Sequence, residues 1–205
     1  MKFAIYECRR FCFSASLALA AASGVFLLVS GFEPGGFIAI GDNLPGVGVT
    51  VFAAVSMSLI AYVFARYRWR IVVSTVACLA HDLILTFGVI AALRLRLGGA
   101  FAPVSLTIIA YSLNGNTSFF DRLLENRDLH PRWTGRELIN LSANQSLGRL
   151  LARLAVFAVV LIPVFIFSSG AIRAVSVALF SGFAVSCYSA LFIAPNLWAL
   201  LYNKS

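Results

Sequence analysis

Apolar runs of bilayer-crossing length recur along this chain, at 11–32, 50–65, 71–93, 103–120, 150–168 and 174–201. A hydrocarbon layer needs about 20 apolar residues of helix to cross it. Inside lipid each backbone N–H and C=O must find its partner within the chain, so runs of this kind form helices rather than open strands. A soluble domain of 205 residues, with its share of charged surface, would not carry so many. Here 60% of residues are hydrophobic, 12% are charged and the mean hydropathy is +0.91. The sequence therefore predicts an all-α membrane protein with six transmembrane helices and no separate soluble domain.

The connecting segments set the expected topology. Residues 1–10 carry Lys2, Arg9 and Arg10 and form a cytoplasmic N-terminus. The run at 11–32 is long enough to stay as an anchor rather than be removed as a signal peptide. Residues 33–49 form a short loop rich in glycine and proline and free of basic residues. The remaining spans, within 50–205, follow the Arg-rich turn at 66–70. Pro103 suits the first turn of the fourth span, and residues 121–148 read as a long polar loop. Within that loop Thr134-Gly-Arg-Glu137 has capping-box spacing and predicts the start of a short surface helix. On the side of the termini lie 13 of the 16 basic residues, leaving Arg94, Arg96 and Arg173 on the other. That asymmetry predicts cytoplasmic termini.

The same distribution decides what the net charge of +8 means. The basic residues flank apolar runs instead of forming a stripe, so nucleic acid is not an expected partner, whereas membrane lipid is. Cys8, Cys12, Cys78 and Cys187 include no CxxC pair, so neither a disulfide framework nor a metal site is expected.

The most constraining single stretch is 107–127. It begins as a span, then places Tyr111, Ser112, Asn114, Asn116, Thr117 and Ser118 where lipid would favour leucine. An uncovered polar group in hydrocarbon costs several kcal/mol. This face must look into protein or a wet path, either as helix-to-helix glue or as a functional lining. The stretch then leaves the membrane through Asp121 and Arg122.

Two further constellations stand out. His81 and Asp82 fall mid-span, and two readings stand: part of a proton or ion path, or a hydrogen-bonded packing pair. Adjacent helical side chains point about 100° apart, so the two are expected to serve different neighbours. The second is 140–153, polar and rich in small residues, where Arg149 and Arg153 share a face. Arg149 either enters the membrane to meet the polar face of the fourth span or snorkels. Arg153 reads as a snorkelling anchor. No phosphate loop, catalytic pair or cofactor motif is present, so an enzyme is not expected.

Taken together, these stretches resemble the SecF subunit of the SecDF protein-export complex, a relative of the RND transporters. The resemblance rests on Leu79-Ala-His-Asp-Leu-Ile84, on Leu106-Thr-Ile-Ile-Ala-Tyr-Ser-Leu-Asn114 followed by Phe120-Asp-Arg-Leu-Leu-Glu-Asn126, on Ile139-Asn-Leu-Ser-Ala-Asn-Gln-Ser-Leu-Gly-Arg149, and on the last span from Ser181 to Pro195. It covers residues from about 50 to 200 and implies half of a pseudo-symmetric bundle of the RND type. Tyr111, Ser112, Asp121, Arg122, Glu125 and Asn126 match the family motif. His81, Asp82, Asn114, Asn116 and Arg149 are the candidate intramembrane polar network, with Arg149 matching the family's intramembrane arginine.

Two departures bear on function. The family carries a folded periplasmic domain between its first two spans, which the short loop 33–49 replaces here. Where the family usually has Asn-Asp-Thr, this chain has Asn114-Gly115-Asn116, so the acid implicated in proton movement falls on a glycine. The resemblance implies an accessory subunit of the Sec translocase in the bacterial cytoplasmic membrane. Its implied partners are SecD, the SecYEG translocon, YajC and the exported polypeptide, and its implied energy source is the proton gradient. The alternatives are an RND-like half-transporter of small solutes and a structural remnant without energy coupling.

Overall fold

The structure, a computed structural model, describes residues 45–202 together with positions 18, 21 and 22. Among the described residues there is no strand. Five long helices follow one another: α1 (Pro45–Arg66), α2 (Trp69–Ala92), α3 (Phe101–Leu129), α4 (Gly135–Phe167) and α5 (Gly170–Tyr202). A single 3₁₀ turn, Gly98–Ala100, leads into α3.

Three of these helices, α2, α4 and α5, are long and apolar enough to cross a membrane. At 24 residues α2 spans about 36 Å, a little more than a hydrocarbon core. The 33 residues of α4 and of α5 make about 50 Å each, so both extend well beyond it. The apolar part of α1 is shorter, Ala53–Arg66. The expected first span at 11–32, the segment 33–44, Cys8 and Cys12 lie outside the described residues, so six spans are not seen.

Two expected boundaries change. Residues 45–49 belong to α1 rather than to a loop, with Pro45 at the helix start, where its missing N–H costs nothing. More substantially, 121–148 is not a loop. Helix α3 continues to Leu129 and α4 begins at Gly135, so only 130–134 is non-helical. Polarity there marks helix that has left the apolar zone, not helix that has ended. Arg122 and Glu125 pair at i,i+3 with 2.6 Å between them, which suits a solvated helix. The predicted capping box is present. Thr134 accepts from the Glu137 N–H, while Glu137 accepts from the Thr134 N–H. The helix it starts is not a short surface piece but the first turns of α4.

Helix α5 lies at the centre, packed against α2, α3 and α4, while α1 rests on α3 and α2. Its buried positions are mostly small: Ala174, Ser176, Ala178, Gly182, Ser186, Cys187, Ser189, Ala190, Ala194 and Ala199. Small side chains let helix backbones approach closely. Gly182 shows how closely, since a Cβ placed there would stand 2.7 Å from Ile108 Cγ1. In α4 the buried positions are Leu138, Ile139, Ser142, Ala143, Ser146 and Leu150, an i, i+3/i+4 stripe that stops at Leu150. Past that point the helix presents Val156, Val159, Val160, Ile162 and Ile166 outward.

Candidate functional site

Asp82 lies midway along α2, fully buried where the two main apolar clusters of the bundle meet. A carboxylate at such a depth costs about 3 kcal/mol on insertion scales unless the protein supplies partners. Two serines from different helices do so. Ser112 of α3 donates to Asp82 Oδ2 at 2.5 Å, and Ser189 of α5 donates to the same oxygen at 2.9 Å. Both lie within the ordinary range for O–H···O hydrogen bonds, the Ser112 bond at its short end. Asn116, also fully buried, donates from Nδ2 to Ser112 Oγ at 3.4 Å and extends the chain one turn along α3. The network thus ties α2, α3 and α5 together at their middle.

His81 and Asp82 come within reach of one another. The His81 Nδ1 stands 3.3 Å from Asp82 Oδ1. No cation from α4 reaches Asp82.

The polar face expected on the fourth span divides into two. Ser112 and Asn116 turn inward to Asp82. Asn114 and Ser118 turn towards α4, where the residue that meets them is Arg153 and not Arg149. Arg153 Nη1 donates to Asn114 Oδ1 at 3.2 Å, to its carbonyl at 3.4 Å and to Ser118 Oγ at 3.1 Å. Arg149, one turn earlier, is exposed. The reason lies in the register of α4: the buried stripe ends on Leu150, and the side next to α3 above it belongs to 153. Thr117 bonds only back to the Asn114 carbonyl. Tyr111 packs its ring on Phe183 at 4.2 Å and edge-on to Phe157 at 5.5 Å, an aromatic joint between α3, α4 and α5.

Gly115 is buried between the other two helices. A Cβ there would lie 3.5 Å from both Ala190 of α5 and Leu150 Cδ2 of α4. A carboxylate at this position would enter the small apolar cluster of Leu150, Cys187, Ala190 and Leu191. Cys187 and Cys78 are free and buried.

The remaining motif residues form a collar at the charged end. Asp121 accepts from Tyr67 Oη at 2.6 Å and from Arg66 Nη2 at 3.5 Å, fastening the α1–α2 turn to α3. Burial, then the bond to Asp121, pushes the Tyr67 phenol from 10.0 up to about 12, with Arg66 acting the other way. Asn126, buried, donates to Ser142 Oγ at 2.8 Å and to Gln145 Oε1 at 2.9 Å, fastening α3 to α4.

A family profile described as "Protein export membrane protein SecD/SecF, C-terminal" matches residues 39–204. The chain belongs to the SecD/SecF family. Its curated SecD/SecF-family relatives include the protein translocase subunit SecF of Haemophilus influenzae, 32% identical over 155 residues, covering 76% of this chain and 48% of that protein. The SecF subunit of Cereibacter sphaeroides is 29% identical over 149 residues, covering 73% and 46%. The chain thus spans about half the length of the curated SecF proteins it matches. Among solved structures, SecDF in its super-membrane-facing form is 27% identical with a TM-score of 0.69, covering 81% of this chain and 23% of that one. SecDF from Thermus thermophilus, described as a translocon-associated membrane protein, superposes with a TM-score of 0.82 over 100% of this chain and 39% of its own. At 18% identity that second likeness is one of fold.

Sequence reasoning missed Ser189, Ser142, Gln145 and Arg153 as network members. Ser189 had a signal, since it falls within a run of small residues in an otherwise apolar helix. The others depended on the register of α4 against α3, which no local pattern encodes.

Proposed function

We propose that this chain is a SecF-type, non-enzymatic accessory subunit of a Sec protein translocase. It sits in the bacterial cytoplasmic membrane with both termini on the cytoplasmic side. With a SecD partner beside the SecYEG translocon, it helps draw exported polypeptides across the membrane at the expense of the proton gradient. The observation that carries this reading is the match of residues 39–204 to the SecD/SecF profile, together with the likeness to SecDF at 27% identity.

Within that assembly the chain itself does not carry the proton. Gly115 cannot titrate, and the hydroxyls of Ser112 and Ser189 hold Asp82 as a joint between three helices. Coupling then rests on the partner subunit. In a reconstituted complex Gly115→Asp alters proton-dependent export, whereas Asp82→Asn lowers the yield of assembled complex and leaves the proton dependence of the remainder intact. Loss of proton coupling in Asp82→Asn at undiminished yield places the path through Asp82 and overturns this assignment. Orientation is checked by reporter fusions at Ser205 and within 33–44, which are expected to report opposite sides.

A further inference from the structure

Every basic residue that the described chain carries at the end opposite the collar, namely Arg94, Arg96 and Arg173, lines one cavity of about 770 Å³. No acidic residue lines it, and the ion pairs among the described residues are made elsewhere, by Arg66, His81, Arg122 and Arg127. Two of the three arginines are placed against local preference. Arg94 has φ 51°, the left-handed conformation that closes α2 in a Schellman turn, with the Leu95 N–H bonded to the Ile90 carbonyl and the Arg94 N–H to that of Ala91. Glycine or asparagine usually fills that position. Arg173 lies in the first turn of α5, where the helix dipole disfavours a cation. Its one described compensation is the Phe165 ring, 4.5 Å from the guanidinium carbon.

The walls indicate what neutralises this cluster. Besides the arginines they are mostly apolar, with Leu93, Phe165, Ala174 and Val177 among them. Ile166 and Ile172, the sequence neighbours of the lining residues Phe165, Ala171 and Arg173, are exposed, as is Phe167. The cavity lies where the apolar helices α2 and α4 end and α5 begins, and the ends of membrane-crossing helices are where a bilayer carries its headgroups. A free anion would have use for the guanidinium groups alone. A phospholipid would also fill the apolar walls with its glycerol and upper acyl chain.

We propose that this cavity binds the phosphodiester headgroup of an anionic phospholipid, with Arg94, Arg96 and Arg173 around the phosphate and Leu93, Phe165 and Val177 against the acyl chains. The site is independent of the export role assigned above, because it rests only on the placement of these helices in a membrane.

The full chain, delipidated in mild detergent together with any subunit that copurifies, is titrated with phosphatidylglycerol and with phosphatidylcholine, and retained lipid is counted by native mass spectrometry. The intact chain is expected to prefer phosphatidylglycerol. Arg94→Gln/Arg96→Gln/Arg173→Gln is expected to reduce that preference by on the order of a hundredfold, since each basic residue near a charged headgroup contributes roughly fivefold. The triple lysine variant is expected to keep most of it. Should the triple glutamine variant not be recovered, Arg173→Gln alone, on an exposed position, is expected to show a reduction of about fivefold. Undiminished preference in the glutamine variants, or displacement of the lipid by millimolar inorganic phosphate, would overturn the proposal.

Discussion

Helices α4 and α5 have the same length, 33 residues, and both are apolar enough to span a membrane, yet they live in different surroundings. Of the most apolar stretch of α5, 56% is buried inside the protein, against 6% for α4. The more apolar of the two is the more open. In water this would be paradoxical. In a bilayer it is ordinary, because lipid tails are as apolar as leucine and hydrophobicity does not pull helices together. What separates the two is size and polarity. Alanine, serine and glycine line α5 and let neighbours close in. Valine, isoleucine and phenylalanine crowd the outer half of α4, which the rest of the chain leaves uncovered.

The largest test of this contrast is Gly182→Leu. Even a Cβ at 182 stands 2.7 Å from the fully buried Ile108, so the larger side chain is expected to cost about 3 kcal/mol or more. Val160→Leu on the open face of α4 is expected to stay within about 0.5 kcal/mol. Denaturation in mild detergent compares the two, and equal losses would break the distinction.

Asp82→Ala probes the polar side of the same contrast. It strands the buried hydroxyls of Ser112 and Ser189, each worth about 1–3 kcal/mol when unsatisfied, with Ser189 able to fall back on the Ser186 carbonyl. A net loss of about 2–3 kcal/mol is expected, against less than about 1 kcal/mol for Arg153→Gln, whose bonds lie at the edge of the bundle. A larger loss in the arginine variant would mean that α4 is held more firmly than α5.

Within α4 itself the two halves are expected to differ. Asn126→Ala removes both anchors to Ser142 and Gln145 and is expected to cost about 1–2 kcal/mol. Ile166→Ala, beyond Leu150, is expected to change detergent-solubilised stability by no more than about 0.5 kcal/mol. Hydrogen exchange should likewise be slower along 136–150 than along 156–166.

Thr134→Ala is the smallest of these changes. It removes the side-chain cap of α4 and is expected to cost about 1 kcal/mol, seen as faster exchange of the first-turn amides with no effect on α5.

By itself the sequence determined the helical membrane class, the break between α1 and α2 within 66–70 (only 67–68 is non-helical), the capping box at Thr134 and the need to cover Ser112, Asn116 and Asp82. These follow from local energies, namely the length of an apolar run, the geometry of a first turn and the cost of a bare polar group in lipid. It also determined that position 115 holds no acid. The sequence did not decide where α3 ends, because a polar segment can be loop or solvated helix with the same composition. Only the tertiary structure decided that Ser189 and Ser112 share one carboxylate oxygen, and that Arg153 rather than Arg149 meets Asn114. Both outcomes depend on how one helix is rotated against another, a matter of a fraction of a turn. Spacing along a single helix leaves that rotation free, and the close packing of the small residues on α5 fixes it.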